Sequence, residues 1–240
     1  MNGPDVRTLT PAALRSWPLP DPDGDKSSRG TVLVVGGARA TPGAVLLAGT
    51  AAMRAGAGKL QLATVESVTG PLGIAVPEAM VVALPETQRG AVARDLPDTL
   101  LDLLPRADVV VVGPGLVDVE ETEHVLAGVL EHADDDAQVV IDAYALPALA
   151  RSPELAKGRS SWPVLTPNTA EGAQLLGREL EDDLVAEARE IAGRYDCVVS
   201  LFGHVADPEG AAWHDETADS GLGTSGSGDV AAGLAAGLLA

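Results

Sequence analysis

The segment with the strongest chemical signal is the glycine-rich stretch Gly223-Thr-Ser-Gly-Ser-Gly-Asp229, which leads into the last apolar segment of the chain. Successive backbone N–H groups of such small residues can form an anion nest, and the positive end of a helix dipole would strengthen it. Asp229 stands at the mouth of this nest, where a carboxylate is a poor permanent phosphate ligand. Asp229 is suited to act as a general base that takes a proton from a hydroxyl group as it attacks phosphorus. The alternative is that Asp229 only caps the helix.

Further unusual residues follow several short apolar runs that read as strands. Ligands of open α/β sheets bind beyond the carboxyl ends of the strands, so these residues are expected to meet at one edge. Any single turn of this kind is ordinary, and only the collective pattern indicates a site. Asn168 with Glu171 is typical of a helix capping box, and contact of Asn168 with a substrate is the alternative. The residues concerned are Gly36-Gly37, Gly113-Pro-Gly115, Asp142, Thr166-Pro-Asn168 and Phe202-Gly203.

The elements that must position these residues alternate between strand and helix. Near-continuous Val/Leu/Ile runs separated by helical segments predict a parallel sheet covered on both faces, within one domain over residues 1–240. The predicted strands are 31–35, 60–64, 80–84, 109–112, 139–141, 164–166 and 198–201. The predicted helices are 42–55, 89–104, 118–131, 143–150, 168–176, 182–194 and 229–239, with a hairpin at 203–214. Residues 1–29 are predicted to be an N-terminal extension of loop with one short helix at 9–14.

Composition excludes several classes of function. The net charge of -19 argues against binding to nucleic acid and to anionic membranes. The single cysteine, Cys197, lies in an apolar run and is expected to be a buried core residue of a protein from a reducing compartment, the cytoplasm. The four histidines are scattered, so no metal site built by the protein is predicted. Aromatic residues make up only 2% of the chain, so the core must consist of Ala, Val and Leu.

Seven motifs, taken together in order, resemble the ADP/ATP-dependent NAD(P)H-hydrate dehydratases from about residue 20 to the end. The resemblance implies a ribokinase-like α/β/α fold of three layers around a mostly parallel sheet. It also implies repair of hydrated NADH or NADPH, in which the ring hydroxyl is phosphorylated and phosphate then leaves. ADP or ATP would be the co-substrate, Mg²⁺ would be bound through the phosphates, and the protein would be a homo-oligomer, often a tetramer. The motifs are Arg29-Gly-Thr-Val-Leu-Val-Val-Gly-Gly37, Pro42-Gly-Ala44, Arg54-Ala-Gly-Ala-Gly58, Gly113-Pro-Gly-Leu116, Ile141-Asp-Ala-Tyr-Ala-Leu146, Val164-Leu-Thr-Pro-Asn168 with Glu171, and Gly226-Ser-Gly-Asp229.

The resemblance also implies roles for individual residues. Asp229 would be the catalytic base and would contact the substrate. The hydrated dinucleotide would also contact Ala44, Gly115 and Asn168. The nucleotide would be bound by Phe202, Gly203, His204, Thr224, Gly226 and Gly228.

Four features depart from the family pattern. Phe202 stands where the family has a loop lysine, and Asn168 stands where it has a histidine. Tyr144 replaces an Asp or Gly, and the chain ends at Ala240 where the family continues for another helix or two. Two alternatives therefore stay open beside the dehydratase: a kinase of the same fold acting on a sugar or vitamin precursor, and a catalytically weakened relative that binds nucleotide.

Overall fold

The computed structural model describes residues 6–18, 26, 28–215, 217 and 223–240. Within this part of the chain the strands are β1 (Val6–Leu9), β2 (Thr31–Val35), β3 (Lys59–Val65), β4 (Met80–Leu84), β5 (Val109–Val112), β6 (Gln138–Ile141), β7 (Val164–Leu165), β8 (Val198–Leu201), β9 (His204–Ala206) and β10 (Ala212–Asp215). They form one sheet in the order β1-β10-β9-β8-β7-β6-β5-β2-β3-β4.

The helices are α1 (Pro11–Arg15), α2 (Pro42–Ala55), α3 (Thr69–Ala75), α4 (Asp98–Leu101), α5 (Val119–His132), α6 (Ala145–Arg151), α7 (Thr169–Leu176), α8 (Leu184–Tyr195) and α9 (Ser227–Leu239). Short 3₁₀ turns lie at Glu66–Val68, Leu104–Arg106 and Pro153–Ala156. No helix among the described residues is long and apolar enough to cross a lipid bilayer.

The helices cover both faces of a mostly parallel sheet. Among the described strands, β2 to β8 pair in parallel, and only β9 runs antiparallel to its neighbours β8 and β10. On one face α2 and α9 pack on alternate valines of the central strands, and on the other face α5, α6 and α8 form the larger core. Every residue of β2 and of β5 is buried because both faces are covered. The result is the expected three-layer α/β/α arrangement.

Two glycines let the last helix lie directly on α2. A Cβ atom at Gly233 would be 2.1 Å from the carbonyl oxygen of Ala48, and one at Gly237 would be 2.3 Å from that of Ala52. Side chains at these positions would push the helices apart, because backbone atoms cannot yield as a flexible side chain can. This close packing fixes the position of α9 and hence of the residues at its start.

Most predicted elements are confirmed, with three corrections. The predicted helix 89–104 is wrong: only Asp98–Leu101 is α-helical, and Glu86 and Val92 instead form a bridge around a turn. Helix α3 was not predicted, since its sequence contains two glycines and a proline. The extension 1–29 is not only loop and helix, because Val6–Leu9 forms an edge strand paired in parallel with β10. Residues 1–5, 19–25 and 27 of this extension lie outside the described residues.

The single cysteine is buried as the sequence predicted. Cys197 has no exposed surface and belongs to the larger core. Burial raises the pKa of its thiol, so the reactive thiolate is disfavoured.

Candidate functional site

An open pocket of about 220 Å³ lies at the carboxyl edge of the sheet, where β6 and β7 end and where α7 and α9 begin. A larger cavity of about 390 Å³ includes Asp108 and Gln138 at the opposite edge, where the strands start. Ligands of open α/β sheets bind at the carboxyl edge, so the smaller pocket is the candidate site. Its walls are formed by Asp142, Ala143, Thr166, Asn168, Glu171, Gly226, Gly228 and Asp229.

Asp229 lies half-buried in the first turn of α9, directly beside the start of the helix. The N-cap residue Gly226 has φ 82°, a left-handed conformation that glycine adopts without strain. A Cβ atom there would also come within 2.5 Å of the Leu47 side chain. The N–H groups of Gly228 and Asp229 have no backbone acceptor among the described residues. These two donors are therefore available to an anion in the pocket.

Burial raises the pKa of Asp229 above the ordinary value for aspartate. A carboxylate with a raised pKa holds a proton more strongly than an exposed one does. This makes Asp229 a better proton acceptor toward a bound hydroxyl group.

Asp142 is a second carboxyl group in the pocket; its sequence position predicted that it lies at this edge of the sheet but indicated no chemical role. It directly follows β6 and is 3% exposed, and it accepts a hydrogen bond from the hydroxyl of Thr166 at 2.7 Å. The pKa of Asp142 is raised to about 6, chiefly by burial. The hydrogen bond from Thr166 lowers the pKa, and the negative charges of Glu171 and Asp229 raise it. Its position directly after a predicted strand was the signal available in the sequence.

The predicted capping box at the start of α7 is confirmed. Asn168 Oδ1 accepts from the Glu171 N–H at 2.9 Å, and Glu171 Oε2 accepts from the Asn168 N–H at 2.9 Å. Burial raises the pKa of Glu171. Both residues also line the pocket, so the cap and a contact with a ligand are compatible at Asn168.

Ala44 and Gly115 lie together, but neither lines the 220 Å³ pocket. A Cβ atom at Gly115 would be 2.8 Å from the Ala44 Cβ, and Gly115 has φ 72°. The Thr41 hydroxyl, placed to cap α2, instead donates to the Gly115 carbonyl oxygen at 2.6 Å. This hydrogen bond joins the two glycine-containing turns at the carboxyl ends of β2 and β5.

The remaining predicted nucleotide contacts lie outside the pocket as well. Phe202 has φ 45° and is 75% exposed in the turn between β8 and β9, followed by Gly203 with φ 82°. His204 stacks on His214 with ring centroids 4.3 Å apart. Thr224 is exposed, and its carbonyl oxygen accepts from the Ser227 N–H at 3.2 Å. The structure therefore brings Asn168, Gly226, Gly228 and Asp229 into one pocket, and the other six predicted residues do not line it.

The pocket offers oxygen donors of the kind that Mg²⁺ prefers, in the carboxylates of Asp142, Glu171 and Asp229. However, the described residues contain no group of three or more His, Cys, Asp or Glu side chains arranged to hold a metal ion. The arrangement suits an anion held by the amides of α9 beside a base.

Comparisons of the sequence and of the structure with known proteins indicate the same family. The sequence profile of the NAD(P)H-hydrate dehydratases matches residues 32–240. An ADP-dependent (S)-NAD(P)H-hydrate dehydratase of Xanthomonas campestris pv. campestris is 45% identical over 252 aligned residues, which cover all of this chain and 82% of that protein. A bifunctional NAD(P)H-hydrate repair enzyme of Moorella thermoacetica is 38% identical over 97% of the chain, which spans only 45% of that longer protein.

A solved structure agrees with this result. The ADP/ATP-dependent NAD(P)H-hydrate dehydratase of Bacillus subtilis, co-crystallised with ATP and Mg²⁺, superposes with a TM-score of 0.78 at 28% identity. The superposition covers 98% of this chain and 81% of the other. With a profile match over most of its length, a relative 45% identical, and a carboxylate set at the mouth of an amide-lined pocket, the chain belongs to the NAD(P)H-hydrate dehydratase family.

Proposed function

We propose that this protein dehydrates hydrated NADH or NADPH at the expense of ADP or ATP. The observation that carries the proposal is the half-buried carboxylate of Asp229 beside the N–H groups of Gly228 and Asp229, which have no backbone acceptor among the described residues. Hydroxide is a poor leaving group, and its conversion to a phosphate ester makes elimination far easier. A base and an anion site side by side meet the requirements of that conversion.

Asp229 would take the proton of the ring hydroxyl as its oxygen attacks the terminal phosphorus of the nucleotide. The bond from that phosphorus to the nucleotide breaks, and the shortened nucleotide leaves. Phosphate then departs with the electron pair of its bond to the ring carbon and takes up the proton that the neighbouring carbon loses, which restores the ring double bond. The N–H groups of Gly228 and Asp229 would stabilise the charge on the transferred phosphate.

The proposed contacts follow the family resemblance. The hydrated dinucleotide would meet Ala44, Gly115 and Asn168, and the nucleotide would meet the Phe202-Gly203-His204 turn together with Thr224, Gly226 and Gly228. Mg²⁺ would be bound through the phosphates of the nucleotide, as the resemblance implies. We also propose that the protein is a cytoplasmic homo-oligomer with its 240 residues in one domain.

One observation favours a second candidate, a relative that binds nucleotide without turnover. Phe202 is exposed where the family has a lysine, so the turn after β8 lacks a positive charge at that position. A lysine there would help to neutralise a phosphate, and its absence weakens the support for phosphoryl transfer.

The test is to incubate the protein with hydrated NADH or NADPH, Mg²⁺ and either ADP or ATP, and to follow the absorbance of the reduced nicotinamide. Recovery of that absorbance supports the proposal. Nucleotide binding by calorimetry with no recovery would favour the non-catalytic relative. ATP consumption with an alcohol substrate, and none with the hydrated cofactor, would favour the kinase.

A further inference from the structure

Asp142 is a buried carboxyl group that the steps derived above do not use. It is 3% exposed and lines the pocket that also contains Asp229. Among the described residues Asp142 forms no ion pair, and the side chain that donates a hydrogen bond to it is the hydroxyl of Thr166. A buried carboxyl group without a cationic partner, at the wall of a pocket, is a candidate for proton transfer.

The backbone around Asp142 is held in an unusual conformation. Ala143 follows it, also lines the pocket and has φ 48°, a left-handed conformation that residues other than glycine rarely adopt. A Cβ atom at Gly113 would be only 1.8 Å from the Asp142 carbonyl oxygen, so the turn after β5 approaches this closely because glycine stands there. Strained backbone of this kind clusters at functional sites. Asp142 thus contacts the turn that contains Gly115, a proposed contact of the dinucleotide, and shares a pocket with Asp229.

The proposed dehydration moves two protons, and Asp229 accounts for one of them. Asp229 takes the hydroxyl proton during phosphoryl transfer, so it is already protonated when elimination begins. The carbon next to the phosphate-bearing carbon must then lose the second proton, and the phosphate must gain one as it leaves. A second carboxyl group in the same pocket meets both needs, because a general base becomes a general acid once it has accepted a proton.

Glu171 and Asp142 both line the pocket beside Asp229, but they differ in their other tasks. Glu171 Oε2 accepts from the Asn168 N–H at 2.9 Å in the capping box of α7, so this carboxyl group already has a structural role. The Asp142 carboxylate accepts from Thr166 and keeps further lone pairs for a ligand. Burial raises the pKa of Asp142 to about 6, so it is a stronger base than an ordinary aspartate and is still mostly ionised at neutral pH.

We propose that Asp142 is a second catalytic residue, which takes the proton from the ring carbon next to the phosphate-bearing carbon and delivers it to the departing phosphate. This inference rests on the proposed dehydratase function. The electron pair of the broken C–H bond forms the ring double bond, and phosphate leaves with the electron pair of its bond to the ring. Asp142 ends the cycle ionised, as it began. Thr166 is a positioning residue, whose hydroxyl orients the carboxylate.

Single-turnover kinetics of the whole protein separate the two steps. The protein is mixed with hydrated NADH, Mg²⁺ and ADP or ATP. Cleavage of the nucleotide reports phosphoryl transfer, and recovery of the nicotinamide absorbance reports elimination. In Asp142→Asn we expect cleavage within about 3-fold of the wild type and recovery slowed about 100-fold or more, the usual effect of losing a general base. Deuterium on the carbon that loses the proton should slow recovery more in the variant than in the wild type, because breaking that bond then limits the rate.

Two further variants complete the comparison. Asp102→Asn removes the same formal charge at an exposed position and should match the wild type in both steps. Thr166→Val keeps the Asp142 carboxyl group but removes the hydroxyl that orients it, so recovery should slow about 10-fold with nucleotide cleavage unchanged. Thr166→Val also carries the test if Asp142→Asn does not fold.

Equal slowing of cleavage and recovery in Asp142→Asn would overturn the inference, because a purely structural role affects both steps alike. Recovery at the wild-type rate in Asp142→Asn would overturn it as well. If only Thr166→Val folds, the same two results in that variant decide against the inference. A wild type that neither cleaves the nucleotide nor recovers absorbance would instead refute the proposed function, and this inference with it.

Discussion

Asp229 experiences two opposing influences at the start of α9. Burial raises its pKa and so favours the protonated form, while the adjacent N–H groups form an environment that suits an anion. A bound phosphate would compete with the Asp229 carboxylate for that environment, because the two negative charges repel each other. The side chain is therefore better suited to accept a proton during reaction than to bind phosphate at rest.

Replacement of Asp229 by Asn tests this role. Turnover of hydrated NADH should fall about 100-fold or more, because general-base catalysis typically contributes that much. The affinity for ADP should stay the same or rise, since a repulsive charge is removed. Nicotinamide absorbance measures the first quantity and calorimetry the second. Equal losses of turnover and of ADP affinity would contradict the role of a base, and they could not be assigned to a lost cap because Asp229 makes no capping hydrogen bond in α9.

The buried carboxyl group of Asp142 leads to a separate prediction, which concerns how the free energy of unfolding depends on pH. Its pKa is raised from 3.8 to about 6 in the folded protein, so the folded state keeps a proton that the unfolded state loses between these values. The stabilisation is fully present below about pH 4 and is lost as the pH rises through about 6, at a cost of about 3 kcal/mol. Asp142→Asn has no proton to lose, and its free energy of unfolding should decline less over this window.

Urea unfolding at intervals between pH 4 and pH 8 measures the difference. The matched control is Asp102→Asn, which removes the same formal charge at an exposed position after α4. Parallel profiles for wild type and Asp142→Asn would show that Asp142 is not the source of the pH dependence.

At the scale of elements, the close contact of α9 with α2 determines where the site residues lie. Gly233 and Gly237 face the carbonyl groups of Ala48 and Ala52, so the axis of α9 cannot move away from α2 without opening a gap in the core. Asp229 is one turn before Gly233 on the same helix. A shift of α9 would therefore move the Asp229 carboxylate relative to Asp142 and Asn168, which are held by other elements.

Gly233→Ala should reveal this dependence. The added Cβ would start 2.1 Å from the Ala48 carbonyl oxygen, and the backbone shift needed to relieve it should cost about 1–3 kcal/mol of stability. Turnover should fall as well. Gly193→Ala in α8 is the control, because nothing lies within 4 Å of its added Cβ, and it should stabilise the protein by up to about 1 kcal/mol. Thermal unfolding of both variants provides the comparison, and a neutral Gly233→Ala would contradict the argument.

The elements that the sequence predicted well are those with a strong local pattern. Helix α5 has Asp118 as its N-cap and a clear apolar face, and α7 carries a complete capping box. Helix α3 was missed because Leu72 becomes buried only when the distant core is assembled, and its local propensity is poor. Strand β1 was missed for the same kind of reason, since its pairing with β10 joins residues about 200 positions apart.

The residues of the candidate site also divide into those that a local pattern predicted and those that depend on distant contacts. The parallel order of strands made it possible to predict that Thr166, Asn168 and Asp142 meet at one edge, and the structure places them in one pocket. The sequence could not show which strand ends are close enough to share a wall. It therefore gave no role to Asp142, and it did not show that Ala44 packs on Gly115 outside the pocket. Such distances depend on sheet twist and helix packing rather than on local pattern.

At the scale of the whole molecule, the net charge of -19 opposes the proposed function. ADP and the hydrated dinucleotides are anions, and an acidic protein repels them over distances of about 10 Å at ordinary ionic strength. The local amides of α9 act only at contact and cannot offset this long-range repulsion during approach. Substrate capture should consequently be limited by electrostatics in dilute buffer.

Kinetics as a function of salt concentration test this argument. Raising NaCl from about 20 mM to about 200 mM shortens the screening length about 3-fold, so kcat/KM for the hydrated cofactor should rise, with kcat nearly constant. The rise should be larger for hydrated NADPH than for hydrated NADH, because the 2′-phosphate adds negative charge to the same framework. A kcat/KM that falls with salt would mean that local cations outweigh the overall field, and the carboxyl edge of the sheet would then be less acidic than the molecule as a whole.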